Sequence, residues 1–328
     1  MTYAQQPAWR AIQDFLPEEY RLTPDTEPTE EWWQPDGPDG HRVHLDTYRN
    51  PEAPMKVILF HGVGTNGRQM STILGRPLAE RGYETIAIDM PTYGVTEVAR
   101  GALITYDDWV RLGSRLVDAE LARDDRPIVL YGLSAGGMET YHVAALNKRV
   151  AGIVGMTFLD QRSRRVRVET SFDPVSGFVG ASLMRLLAAT PLRGLRWPMR
   201  WVSKMRALVN DRRALRACYA DKTSAGNSAT TTFLSTYLNY QPVVEPDDFD
   251  VCPVLLTQPA ADRWTPLHLS EPFLARITKV PVTKVLLDEG GHYPIERAAL
   301  DQMVEAIAGF CAEQAGTRGP GPGTDASR

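Results

Sequence analysis

The sequence predicts an α/β protein. It should be a doubly wound, mostly parallel sheet of about eight strands, with a helical cap inserted between strands 6 and 7. Three observations predict this. Short apolar runs alternate with helical stretches over residues 41–158 and resume at 253, the pattern of parallel strands joined by crossover helices. Nearly a hundred residues between those two stretches break the alternation and carry helical periodicity only. Glycine-containing turns follow several of the apolar runs, at the strand ends where sheets of this kind carry their reactive groups.

The elements follow in chain order. Residues 1–40 read as an N-terminal helix (8–16, apolar at helical spacing) and an extended arm rich in Pro, Asp, Glu and Gly, with Trp32-Trp33 at its centre. The first part of the core, 41–160, holds a period-two strand at 41–48, strand 56–60, helix 67–81, strand 84–89, helix 105–122, strand 127–131, helix 135–147 and strand 150–158. The cap, 161–247, has helical stretches at 176–189, 198–208, 211–220 and 227–239. The second part of the core, 248–312, contains apolar strand-like runs at 253–257 and 285–287. The tail, 313–328, is too rich in Gly, Pro and polar residues to build a core and is expected to be disordered.

Composition narrows the function classes. Apolar content of 43% and charged content of 23% are those of an ordinary globular protein. A net charge of −4 gives no general attraction to nucleic acid. No apolar run reaches the length of a membrane span, and residues 1–10 lack a signal-peptide core. Three cysteines without metal-like spacing fit a reducing compartment, so the expected location is cytoplasmic. The charge is unevenly spread: residues 161–222 carry fourteen Arg and Lys against four acids. On a strand, the alternating Arg162, Arg164, Arg165 and Arg167 would share a face. Such a basic cap is either a solvated surface or a device that attracts an anionic substrate, an acidic partner or a lipid surface.

The chemistry is signalled by Gly132-Leu133-Ser134-Ala135-Gly136, set between an apolar strand and a helix. A strand turning straight into a helix needs small neighbours, and it exposes the serine hydroxyl at the head of the helix. Serine is a weak nucleophile at neutral pH and needs a base, which in turn needs an orienting acid. His292, in Gly290-Gly291-His292 after an apolar run, is the candidate base. Asp262, after the run 253–257, is the candidate acid, although an Asp followed by Thr265-Pro266 also suits a helix cap. Asp160, beyond strand 150–158, is the alternative acid. The oxyanion donors are expected to be the N–H groups of Ala135 and of Val63. Val63 lies in the turn His61-Gly62-Val63-Gly64 after strand 56–60, with His61 holding that loop. The same loop also matches a phosphate-binding glycine pattern through Gly67, but the triad already accounts for it. Tyr93 and Leu133 are candidate substrate-lining groups, with Phe178 and Met184 from the cap.

With the order Ser134, Asp262, His292, together with His61-Gly62, Asp89-Met90-Pro91-x-x-Gly94 and Gly132-x-Ser134-x-Gly136-Gly137, the chain resembles the α/β-hydrolase superfamily over roughly 40–160 and 245–312. Within it, the chain looks most similar to the capped esterase, lysophospholipase and C–C hydrolase group. Serine at 134 sets it apart from relatives with an aspartate nucleophile, and Leu133 stands where many relatives have His, Asp or Glu. The resemblance implies a serine hydrolase that cleaves a carboxylic ester or related acyl bond through an acyl-enzyme, with no metal or organic cofactor. Its expected partner is a small acyl substrate, anionic or lipid-like. The alternatives are a C–C hydrolase, thioesterase or acyltransferase on the same triad, or a non-catalytic binding protein of the same fold.

Overall fold

The computed structural model describes residues 2–37 and 40–316. Its main sheet has eight strands: β1 Thr29–Trp33, β2 Val43–Tyr48, β3 Lys56–Phe60, β4 Glu84–Ile88, β5 Ile128–Gly132, β6 Gly152–Gly155, β9 Val254–Pro259 and β10 Val282–Leu287. Their order is β1-β2-β4-β3-β5-β6-β9-β10, while β7 Arg196–Pro198 and β8 Ser228–Thr230 form a separate antiparallel pair in the insert. From β4 to β10 all neighbours run parallel, whereas β2 is antiparallel to both β1 and β4. Every residue of β3, β4 and β5 is buried, because helices cover both faces of a doubly wound sheet. The edge strand β10 is largely exposed and carries Lys284, a charge that discourages edge-to-edge pairing.

The helix after the Gly132–Gly136 turn runs over Ala135–Asn147, as its sequence pattern predicts. Where the expected helix 67–81 lies, the structure has two short α-helical pieces, Gly67–Met70 and Arg76–Glu80, joined by a π-helical turn over Ser71–Gly75. The strand expected at 150–158 ends at Gly155, and Met156 to Asp160 leave the sheet as a loop toward the insert. The arm is not merely extended: Trp32-Trp33 belongs to β1, which pairs with β2 and extends the sheet by one strand. Pro38 and Asp39 of that arm lie outside the described residues.

Beneath this arm lies a buried charged cluster. The Arg68 guanidinium grips the Asp46 carboxylate at 2.6 and 2.9 Å. His44 Nδ1 lies 2.9 Å from Asp89, and its Nε2 lies 3.1 Å from Glu30. Burial alone would push the His44 pKa down. The carboxylates of Asp89 and Glu30 beside its two ring nitrogens outweigh that and raise it to about 10, so the ring is a cation at neutral pH. The Tyr3 hydroxyl donates to Asp89 at 2.9 Å, so the N-terminal segment closes the cluster from above.

The insert between β6 and β9 differs from the expected helical cap in three places. The arginines at 164, 165 and 167 lie on a helix, Arg164–Thr170, and do not share a strand face. The predicted helix 198–208 is instead a short helix, Met199–Val202, and a 3-10 turn, Met205–Ala207. The predicted helix 227–239 begins only at Thr231, after β8. At the C-terminus, the helix Arg297–Gly316 carries regular structure four residues into the expected tail; the rest of the tail, 317–328, lies outside the described residues.

Candidate active site

Four loops leave the same edge of the sheet, at the C-terminal ends of β3, β5, β9 and β10. Ser134 stands at the turn between β5 and the helix Ala135–Asn147 with φ 59° and ψ −118°. This is a strained conformation for a residue with a side chain, and it is held by its surroundings. A Cβ on Gly132 would lie 2.0 Å from the Gly136 carbonyl oxygen, and one on Gly62 would lie 2.8 Å from Ser134 Cβ. Both positions therefore require glycine for the loop and the turn to pack. Ser134 is nearly buried yet borders a cavity.

Asp262 and His292 meet because β9 and β10 are parallel neighbours in register, Pro259 opposite Leu287. The two loops leave side by side and stay laced together, with Ala260 N–H donating to Leu287 O and Ala261 N–H to Gly290 O. His292 Nδ1 lies 2.9 Å from Asp262 Oδ2. Asp262 Oδ1 accepts the N–H groups of Trp264 and Thr265 at 2.7 and 2.8 Å, and Oδ2 also accepts the Thr265 hydroxyl at 2.7 Å. Asp262 caps no helix, because the next 3-10 turn and helix begin after Pro266 and Ser270; its carboxylate instead binds N–H groups of its own loop together with the His292 ring. Burial pushes this carboxyl up. The charge and hydrogen bond of His292, with the Thr265 N–H and hydroxyl, outweigh burial and hold it below the ordinary carboxylate range.

Asp160, the alternative acid, is engaged elsewhere. Its carboxylate accepts Arg162 Nε and Nη2 at 3.0 and 2.9 Å, and Arg162 also reaches Glu245 at 2.6 Å. His292 Nε2 is buried and makes no hydrogen bond among the described residues. The structure thus joins Asp262 to His292 and leaves the second ring nitrogen free, without a direct bond to Ser134. Catalytic hydrogen bonds are often open in a ligand-free site and tighten when substrate arrives. Trp264 packs on the His292 ring at a centroid distance of 4.5 Å. Trp264 and Thr265 line the same cavity as Ser134, so the imidazole stands directly behind that wall.

The glycine-rich turn after β3 is fixed by His61. Its Nε2 accepts the Met90 N–H at 3.0 Å, so Nδ1 carries the proton and donates to Gly62 O at 2.9 Å. Burial lowers the His61 pKa and keeps the ring neutral. The Tyr93 hydroxyl donates to Val63 O at 2.9 Å. Among the described residues the Val63 N–H makes no hydrogen bond, and the Ala135 N–H, at the first helical position, has no intrahelical acceptor. From the insert, Met205 and Leu208 press on Gly64, Leu208 O accepts the Tyr293 N–H at 2.7 Å, and Asn210 Nδ2 donates to Ala261 O. A single cap segment thus braces the Val63, Asp262 and His292 loops.

The cavity at Ser134, about 520 Å³ including its mouth, is walled mainly by Val63, Leu159, Met199, Phe233, Leu234 and Trp264. The expected lining residues are corrected here. Tyr93 and Leu133 are buried behind this wall, Tyr93 bracing the Val63 turn and Leu133 packing beside Gly62. Met184 is buried away from the wall, and Phe178 faces outward from the cap. Polarity in the cavity comes from Gln161, Ser171, Ser203 and the hydroxyl of Tyr237, which accepts from Gln161 Nε2 at 3.1 Å.

The pattern of the alpha/beta hydrolase family matches residues 57–306. The chain belongs to the alpha/beta hydrolase family. A search of curated protein sequences finds no match. Among solved structures, the fold is similar to a monoglyceride lipase from Saccharomyces cerevisiae crystallised with a substrate analogue (TM-score 0.69, 15% identity, 91% of this chain and 98% of that one). It is also similar to a monoacylglycerol lipase of Paleococcus ferrophilus (0.64, 17%, 83% and 99%). A third similar structure is Est1E from Butyrivibrio proteoclasticus with bound ferulic acid (0.57, 17%, 87% and 99%). At these identities the likeness speaks for the fold.

Within this alpha/beta hydrolase, Thr265 is the site residue that sequence reasoning passed over. Its hydroxyl donates to Asp262 and lies 3.0 Å from His292 Nδ1, so it braces both members of the pair. The only signal was the Thr265-Pro266 step, read as the context of a helix cap made by Asp262. Thr265→Val is expected to lower kcat about tenfold with KM little changed, the size of one hydrogen bond lost from a buried network. Thr265→Ser should restore most of that rate. A Val variant with wild-type kcat on a chromogenic ester would remove Thr265 from the machinery.

Proposed function

We propose that the protein is a serine hydrolase that cleaves carboxylic esters or related acyl bonds through an acyl-enzyme on Ser134. The observation that carries this reading is the pairing of His292 with a fully hydrogen-bonded Asp262 behind the wall of a cavity bordered by Ser134. His292 Nε2 takes the Ser134 proton as Oγ attacks the carbonyl carbon. The N–H groups of Val63 and Ala135 hold the resulting oxyanion. His292 then hands the proton to the leaving alcohol. A water deprotonated by the same nitrogen releases the acid and restores the serine. Asp262 holds the ring with Nδ1 protonated and stabilises its cationic form. No step calls for a metal or organic cofactor.

The mainly apolar wall of Leu159, Val202, Phe233, Leu234 and Leu238 favours an apolar acyl or alcohol group. This agrees with the substrate analogue bound to the monoglyceride lipase and the ferulic acid bound to Est1E. The test is to quench the protein during turnover of a slow p-nitrophenyl ester and weigh its peptides. The expected result is one acyl mass on the peptide carrying Ser134, discharged by water to the free acid. An acyl mass released only to an alcohol or amine acceptor would identify an acyltransferase. An acyl mass on another residue, or none during a proven turnover, would overturn the proposal.

A further inference from the structure

Between β6 and β9 the cap exposes apolar side chains that a monomer in water would ordinarily cover. On the helix Pro174–Ala188, the residues Val175, Phe178, Val179, Leu183 and Leu186 recur at helical spacing and all face solvent, Val175 at 71% and Leu186 at 66% exposure. The opposite stripe of that helix, Gly177, Ala181 and Met184, is the buried one. Phe172 precedes the helix and is also exposed, as is Trp201 at 60%. Ser171 and Val202, neighbours of Phe172 and Trp201 in the chain, line the cavity at Ser134, so this end of the apolar surface lies beside that cavity.

Basic side chains border this surface. Arg164 lies 4.0 Å over the Phe178 ring, Arg200 5.5 Å from Trp201 and Arg206 5.7 Å from Phe172. Arg206 also donates to Phe172 O. It belongs to an open groove with Lys204, Arg212, Arg216 and Arg263 that contains no acidic residue. Among the described residues none of these five cations is in an ion pair. By contrast, Arg49, Arg68 and Arg126 of the core are each paired with two or more carboxylates. A cluster of like charges, offset only in part by Asp173 near Arg206 and Asp211 near Arg216, beside an exposed apolar helix, is costly in isolation. It is relieved by a surface that offers acyl chains and negative charge together. No helix among the described residues is long and apolar enough to cross a membrane, so contact of this kind would be peripheral.

We infer that this face docks on an anionic lipid bilayer, with Phe178, Leu186 and Trp201 entering the acyl region and the Lys204–Arg216 groove resting on the headgroups. This inference does not depend on the catalytic reading. It is tested on the full chain carrying Ser134→Ala, which prevents turnover of the lipid. Sedimentation is measured with vesicles of phosphatidylcholine alone and of phosphatidylcholine with about one third phosphatidylglycerol. The mixed vesicles should bind at least about tenfold more tightly, and added salt should weaken them. Phe178→Ser with Leu186→Ser should abolish sedimentation with both lipids. Arg212→Glu with Arg216→Glu should remove the preference for phosphatidylglycerol. Arg149→Glu, outside the cap, should change little, and far-UV circular dichroism should show all variants folded. Equal binding to both vesicles, no binding to either, or an apolar double variant that sediments like its parent would overturn the inference. So would tight binding to soluble polyglutamate that vesicles fail to compete.

Discussion

Ser134→Ala should lower kcat for a chromogenic ester by roughly five orders of magnitude or more, to the residual rate that binding and oxyanion stabilisation supply. The same change should abolish covalent labelling by a fluorophosphonate. The reason is local. Only this hydroxyl is presented at the φ 59° turn, and it lies at the head of the helix whose first N–H, of Ala135, is the proposed oxyanion donor. Alanine has no more trouble than serine with that backbone, so the fold should survive and the melting temperature should move little. A wild-type protein that never labels, while hydrolysing nothing, would favour a binding role for the fold. An alanine variant that retains even a few per cent of the turnover would place the nucleophile elsewhere.

Asp262→Asn should cost about 10⁴ in kcat, whereas Asp160→Asn should change it less than about threefold. Asparagine keeps the shape of the side chain and can still accept the N–H groups of Trp264 and Thr265 at 2.7 and 2.8 Å. It loses the charge that stabilises the imidazolium, and its amide can invert the bond to His292 so that the ring adopts the wrong tautomer. Asp160 is bound to Arg162, which also reaches Glu245, so its substitution should appear as a modest loss of cap stability. Steady-state rates of both variants on one ester decide the matter. A larger loss at 160 than at 262 would reverse the assignment.

Much of this site was legible in the chain because its parts are short and local. A strand, a small-residue turn and a helix around Ser134 announce one another within twenty residues. The Gly-rich turn after β3 and the Gly-Gly-His after β10 do the same. Thr265 was not legible, since a threonine beside a proline is an ordinary cap and only the approach of another loop gives its hydroxyl a second partner. Tyr93 was misplaced for a similar reason. Its position after β4 was right, but the aromatic packing of His61, Tyr93 and Trp109 turns the ring inward. The cap resisted most. The Arg-rich stretch 162–167 has no apolar periodicity to distinguish a strand from a helix, and β7 and β8 are three residues each, too short to leave an alternating pattern.

By itself the sequence determined the alternation of strands and helices, the position of the insert, and Ser134 and His292 as candidates, with Asp262 and Asp160 left as two candidate acids. Each of these rests on periodicity or on a turn that only certain residues can make. The tertiary structure alone decided which carboxylate faces His292, because the parallel register of β9 and β10 brings together loops thirty residues apart. It also decided that the apolar stripe of the helix Pro174–Ala188 faces outward. Helical periodicity defines a stripe, but only packing against the rest of the chain determines which side of the helix water meets.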